Sequence, residues 1–197
     1  LIYNFNDSTI QMYIDPILWA ERDQITADTL IIYRKNGQLH KMDMQKDAFI
    51  VSEERHGFYN QVSGRNMKAK FRDNKLDHIN VFGNGRSLYF ARETDSTYTG
   101  VNHIECSEML IQIDSNKVQE ISFYTKPEGI FFPVDELPKE KEKIKGFKWL
   151  IEKRPSLDDF LDKIEQNEKD RPESIKDLLQ NDTPPMEMPI IEKVEES

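Results

Sequence analysis

The chain has 197 residues, of which 37% are apolar and 32% charged, and its formal net charge is −9. No apolar run is long enough for a membrane-spanning helix, and the single cysteine, Cys106, excludes an internal disulfide framework and a cysteine-based zinc site. A pI near 5.0 argues against a protein that binds nucleic acid through its phosphates. Because the sequence starts at Leu1 and not at Met, we expect a preceding segment, for which a signal peptide is one candidate.

The first predicted element is an incomplete repeat. Ile10, Met12 and Ile14 alternate with polar neighbours, and the apolar run 16–19 follows them. Alternation with a period of two is typical of a β-strand. We therefore predict that a partial copy of the repeat described next opens the fold.

Three stretches, 30–44, 67–81 and 109–123, resemble one another without a gap. In each, two alternating halves flank a polar turn, and such turns favour Asn and Gly because these residues tolerate a positive φ. Each stretch therefore predicts a β-hairpin. An apolar run follows each hairpin, and polar loops are predicted to join the units; the runs are 48–51, 87–90 and 129–132, and the loops 53–63 and 93–103.

Regular short strands of this kind predict an all-β fold in which stacked repeats bury one apolar stripe. The pattern leaves two arrangements open: the inward side chains could fill a closed sandwich core, or they could line a groove that receives the acyl chains of a lipid. None of the predicted inward positions carries a charge. They are Leu30, Ile32, Met42, Met44, Met67, Ala69, Phe71, Ile79, Val81, Met109, Ile111, Ile113, Ile121 and Phe123.

The stretch from Asp28 to Ala48 resembles the repeat of the OstA family, which also includes LptA-like lipopolysaccharide-transport proteins, and the likeness covers roughly residues 10–135. The resemblance implies a β-jellyroll, shaped like a folded taco, over residues 1–138. It further implies a periplasmic protein of outer-membrane biogenesis whose apolar groove holds lipopolysaccharide or a related lipid. Jellyrolls of this family join edge to edge.

Edge strands are the expected points of contact with other jellyroll or outer-membrane proteins, because their free N–H and C=O groups can pair with another chain. The two candidates are 10–14 and 130–132. The alternative is an edge that Pro133 or the following linker covers. A second function therefore stays open, a scaffold of an outer-membrane assembly that binds no lipid.

The charge is concentrated at the C-terminal end. Residues 1–155 hold 22 basic against 23 acidic residues, whereas residues 156–197 hold 5 against 13. We predict a linker over 139–155 and an acidic tail over 156–197. Two short helices are predicted in the tail, one with a stripe from Leu157 to Ile164 and one from Ile175 to Leu179. They could close an open end of the jellyroll or bind another envelope protein; the third alternative is a solvated, partly disordered tail.

Nothing in the sequence predicts an enzyme, a cofactor or a metal site. The histidines His40, His56, His78 and His103 do not lie at the spacing of metal ligands, and no nucleophile elbow is present. No base can be assigned to the Cys106 thiol, so we expect it to be buried or idle.

Two further motifs have ordinary explanations. Residues 83–86 resemble a phosphate-binding loop only in part, and a turn explains them. Lys68, Lys70 and Arg72 face outward on one strand, where they either contact lipid phosphates or form a solvated face.

Overall fold

The computed structural model describes residues 1–4, 7–94, 97–115 and 117–156, together with the single positions 162 and 166. The chain divides into two units, Leu1–Ile151 and Glu152–Ser197. The helical stripes predicted in the acidic tail lie outside the described residues. The fold described below is that of the first unit.

The first unit is all-β, as the alternating pattern predicts. Its described residues form one open antiparallel sheet and short 3₁₀ turns at Arg55–Gly57, Val134–Glu136 and Lys139–Lys141, and a further turn spans Ile151–Lys153. The strands are β1 (Ile2–Asn4), β2 (Thr9–Tyr13), β3 (Ile17–Ala20), β4 (Asp23–Thr26), β5 (Thr29–Lys35), β6 (Gln38–Glu53), β7 (Tyr59–Arg72), β8 (Lys75–Arg92), β9 (Tyr98–Asp114), β10 (Lys117–Tyr124) and β11 (Glu128–Pro133).

The three predicted hairpins are confirmed. They are formed by β5 with β6, β7 with β8, and β9 with β10. The turns contain residues with positive φ, among them Asn36 at 52°, Gly37 at 77° and Asn74 at 61°. Such angles match the twist of tight hairpin turns, which explains the choice of residues there.

Four long strands, β6 to β9, cross a common irregularity in the sheet. The register shifts between Gln45 and Ala48, between Ser63 and Asn66, and between Phe82 and Gly85. Bulges of this kind bend a strand and strengthen its twist. We call the portion with the three hairpin turns half-sheet A. Half-sheet B is the other portion, which contains β3, β4 and β11.

Two sequence-based boundaries are wrong. The apolar runs 48–51 and 87–90 are not separate strands, because they continue β6 and β8 past the irregularity. The loops predicted over 53–63 and 93–103 are also shorter than expected, since β7 begins at Tyr59 and β9 at Tyr98. Gln61, from the first of these stretches, lies in β7, and its amide bonds to Glu142, 81 residues away.

Two apolar clusters form on opposite faces of half-sheet B. One joins half-sheet A to B and includes Leu30, Met44 and Ile50. The other is centred on Val51 and Leu88 and includes Ile144 from the segment after β11. Residues 134–150, named the strap here, therefore pack on the sheet, although the sequence suggested that most of them form a linker. This double burial explains why 48–51 is continuously apolar.

The sheet ends differ from the sequence prediction on one side. The stretch 10–14 is not an edge along its whole length, because β1 pairs with Thr9 to Gln11 of β2, and Ile14 lies beyond the end of β2. At the other end, β11 pairs with β9 and, within the described part of the chain, with no further strand. Its Ile130 and Phe131 side chains are 56% and 53% exposed.

Candidate functional site

The predicted inward residues line one face of half-sheet A. Twelve of them form two rows that run straight across neighbouring strands, in register from β5 to β10. Met12 and Ile10 extend the rows onto β2, and sequence reasoning did not assign them to the site. The first row is Met12, Leu30, Met44, Met67, Val81, Met109 and Phe123; the second is Ile10, Ile32, Met42, Ala69, Ile79, Ile111 and Ile121.

Burial in this face falls with distance from the irregularity. In the first row, which lies beside it, Leu30, Met44 and Met67 are fully buried. Towards the hairpin turns and along β10 the side chains are only partly buried. These half-buried positions are Ile32, Phe71, Ile113, Ile121 and Phe123, and all of them pack against the first cluster.

The deep part of the face is filled by protein side chains. Nine of the fourteen predicted residues are at most 6% exposed. Their partners across the cluster come from half-sheet B and from the connection between β4 and β5, and were missed by the sequence prediction; they are Ile25, Ala27, Ala48, Ile50 and Cys106. The run 48–51 was the signal that could have revealed them, since a strand that is apolar on both faces must contact two layers.

Glycines permit this close packing beside the irregularity. A β-carbon at Gly64 would stand 2.4 Å from Cγ1 of Val81, and one at Gly85 would stand 3.0 Å from Cε of Met109. Both contacts are closer than a side chain tolerates without movement of its neighbour. Gly64 therefore lets Val81 occupy the first row, whereas at Gly85 the neighbour is the flexible end of Met109, which can shift.

The Cys106 thiol is buried, as expected, and lies within β9. Burial is the main cause that raises its pKa, while backbone hydrogen bonds at Glu108 and Tyr124 act in the opposite direction. A thiol with a raised pKa is mostly protonated at neutral pH and is a poor nucleophile.

A small cavity of about 220 Å³ lies beside Cys106, and its lining is largely polar. Arg86, Glu105 and Lys126 contribute to the lining, and Nε of Arg86 lies 3.3 Å from Oε1 of Glu105. None of the fourteen predicted residues lines this cavity. Its polar walls do not suit an acyl chain.

The outward cations make local contacts. Nζ of Lys68 lies 5.9 Å from the centre of the Phe82 ring, and Nη2 of Arg72 lies 2.9 Å from Oδ1 of Asp77. Aromatic and carboxylate neighbours of this kind are ordinary for a solvated sheet face.

Among the described residues, no group of three or more His, Cys, Asp or Glu side chains is arranged to hold a metal ion. No helix in the same part of the chain is long and apolar enough to cross a membrane. Neither a protein-family model nor a curated protein sequence matches this chain.

Proposed function

We propose that this chain is a periplasmic lipid-binding protein that takes part in the transport of lipopolysaccharide to the outer membrane. The observation that carries the proposal is the pair of uncharged rows, which cross seven strands without interruption. The bent sheet is then an OstA-like jellyroll folded like a taco. Its apolar interior would take acyl chains, each buried methylene contributing about 0.8 kcal/mol.

The entry of the lipid is at the half-buried rim and not at the deep rows. The rim consists of the five half-buried positions given above, which line the hairpin-turn end and the β10 side of the face. The deep rows are already closed by side chains of half-sheet B. Methionines supply four of the nine most buried positions, and their flexible thioethers can rearrange as a chain enters.

The partners are other jellyroll or outer-membrane proteins, bound through sheet edges. The support for this part is the exposure of Ile130 and Phe131 on β11, whose other edge has no strand partner within the described residues. An added strand would satisfy the free backbone groups of this edge.

A photo-reactive phenylalanine analogue placed at Phe71 or Phe123 tests lipid binding in cells. The matched control is Tyr124, which neighbours Phe123 on β10, points to the opposite face and is 47% exposed. We expect a lipopolysaccharide adduct from both rim positions and little or none from the control.

A second function, a scaffold that binds no lipid, is favoured by the filled deep rows. Crosslinks from Phe71 and Phe123 to protein alone would establish it in place of lipid transport. Equal lipid labelling from Tyr124 would show that the lipid contacts the surface without specificity, and would also overturn the proposal.

A further inference from the structure

The strap lies on the outer face of half-sheet B, away from the proposed lipid site. It covers a cluster to which Phe49, Val51, Leu88, Phe90 and Val101 of the sheet contribute. Ile144 is the strap residue that enters this cluster most deeply, at 3% exposure. Val134, Leu137, Phe147 and Trp149 pack around it.

Two buried glutamines bind the strap through its backbone. Gln24 and Gln61 are 1% and 0% exposed, and both pair in register with Val51, so they flank it on neighbouring strands. A buried amide needs partners for both its donor and its acceptor atoms. Here the strap supplies them, and the carbonyl of Tyr59 is a further acceptor for Nε2 of Gln61 (3.2 Å).

Each glutamine side chain makes two hydrogen bonds to the strap, one as donor and one as acceptor, with the two residues that flank a single strap position. Nε2 of Gln61 donates to the carbonyl of Glu142 (2.8 Å), and the N–H of Ile144 donates back to Oε1 (2.9 Å). Gln24 repeats this pattern with the carbonyl of Lys148 and the N–H of Leu150, both at 2.7 Å. A carbonyl and an N–H two residues apart are the groups that an extended strand presents on one side.

Aromatic side chains of the sheet pack against the end of the strap. Trp149 lies 5.1 Å from Trp19 and 5.1 Å from Tyr59, measured between ring centroids. Phe147 lies 5.4 Å from Tyr59. Between the two glutamine contacts, Gly146 adopts a φ of 97°, which favours glycine and turns the chain towards these rings.

From these contacts we propose that the outer face of half-sheet B is a peptide-docking surface. Its ligand is the segment that carries Ile144, Phe147 and Trp149, locally extended at each glutamine contact and turned at Gly146, and the resident copy can be replaced by the same segment of a second copy of this chain. The glutamines bind only the backbone of the segment. The apolar cluster on half-sheet B and the rings of Trp19 and Tyr59 contact its three apolar side chains. The inference is independent of the proposed lipid function.

Replacement is feasible because the strap is not part of the sheet ladder. Its backbone–backbone hydrogen bonds, such as that from the N–H of Phe147 to the carbonyl of Ile144, run within the strap. It can therefore open without breaking strand pairs, as segments of low local stability do. An open face would expose a contiguous apolar patch, take both strap partners from the Gln24 amide and leave Gln61 with only the carbonyl of Tyr59, which favours occupation again. Exchange between copies reuses the same contacts.

A peptide-binding experiment with the full chain tests the surface. In the strap variant, Ile144→Asp with Trp149→Ser, the resident segment is weakened but every sheet residue of the face is kept. The probe is a fluorescent peptide of residues 138–151. Since the resident strap competes at a high effective concentration, we expect the peptide to bind the variant about tenfold more tightly than the unaltered chain, or better.

The matched controls address specificity. A peptide carrying the same two substitutions should not bind. Adding Gln61→Ala to the strap variant removes two backbone contacts and should weaken binding about tenfold. Circular dichroism checks that the host variants keep their β-structure, and Trp149→Ala alone replaces the strap variant if that double variant unfolds. The proposal is overturned if the folded strap variant does not bind the peptide, or if adding Gln61→Ala leaves the affinity for the peptide unchanged.

A complementation experiment tests the second copy as occupant. A chain with Gln24→Ala and Gln61→Ala has an intact strap and a weakened face, whereas the strap variant has the reverse. When the two are mixed, we expect a one-to-one complex in sedimentation velocity that neither forms alone. Absence of this complex, when the peptide binds, overturns exchange between copies.

Discussion

Gly64 and Val81 lie so close beside the irregularity of the sheet that a β-carbon on Gly64 would stand 2.4 Å from Cγ1 of Val81. Gly64 belongs to β7, and Val81 is a fully buried member of the first apolar row on β8. The contact couples the backbone at the irregularity to the filling of the core. A change at the irregularity of the sheet therefore also changes the packing of its inner face.

The first prediction concerns this contact. Gly64→Ala should lower the free energy of unfolding by about 1–3 kcal/mol, because the added methyl group overpacks a filled core. Urea denaturation measures the change. In the background of Val81→Ala the clash is relieved, so the double variant should lose less stability than the sum of the single variants. Additive losses would contradict the assigned contact.

The second prediction concerns the attachment of β11. A β-carbon at Gly100 would stand 2.2 Å from Cζ of Phe131 and 2.6 Å from the backbone oxygen of Phe132. A ring end can move, but a backbone oxygen moves only with its strand. Gly100→Ala should therefore displace β11 and lower the free energy of unfolding by about 1–3 kcal/mol.

Hydrogen exchange measures the local effect of that variant. Relative to the unaltered chain, we expect the backbone amides of β11 to exchange faster, and more so than those of β10. Gly129→Ala on β11 is the matched control, since its β-carbon would meet the side-chain Cγ1 of Ile104 at 3.1 Å and the nearest backbone oxygen, that of His103, only at 3.7 Å. The control should leave exchange in β11 nearly unchanged. Equal effects of the two variants would argue against the specific close approach at Gly100.

The third prediction concerns the pH dependence of stability. Burial lowers the pKa of His103 below its ordinary value, with further contributions in the same direction from Lys141 and Arg86 and an opposing one from Glu105. Above the ordinary pKa the side chain is neutral in both the folded and unfolded chains. As the pH falls below that value, the unfolded chain binds the proton first, and the free energy of unfolding decreases.

Urea titrations at several pH values between 7.5 and 5 should show this decrease. His103→Gln removes the titrating group, so the loss of stability towards acid pH should be smaller than in the unaltered chain. The difference between the two chains cancels the contribution of the other histidines. A variant that loses more stability in acid than the unaltered chain would contradict the lowered pKa.

The sequence predicted what depends on local pattern. The hairpin turns at Asn36 and Asn74 follow from residues that tolerate positive φ, and the inward rows follow from strict alternation. Local pattern cannot show that β6 and β8 continue through the irregularity as single strands. The residues at the irregularity are of types that are common in turns, so a local pattern predicts a break there, whereas the strand pairs on both sides of it keep the strand continuous. It also cannot show why a glutamine is buried at position 61, since the backbone groups that bind its amide, on Glu142 and Ile144, are 81 and 83 residues away.

The candidate site shows the same division. Alternation places Met44 and Ile121 on one face, and the structure agrees, but their burial depends on the second wall. Met44 is fully buried against half-sheet B, whereas Ile121 is half-buried near the β10 side. Sequence periodicity therefore predicts on which face of the sheet a side chain lies, but not how deeply it is buried.

The fourth prediction uses this difference in depth to separate folding from lipid binding. Met44→Ala should lower the free energy of unfolding by about 2–5 kcal/mol, because it leaves a cavity in a filled region. Ile121→Asp, on the half-buried rim, should cost less stability but should strongly reduce the lipopolysaccharide adduct formed from Phe71, since a carboxylate opposes an acyl chain. Ser122→Asp changes the neighbouring outward position of β10 and should leave the adduct intact. If Ile121→Asp and Ser122→Asp gave the same adduct yield, the rim would not be the lipid contact, and the scaffold function would be preferred.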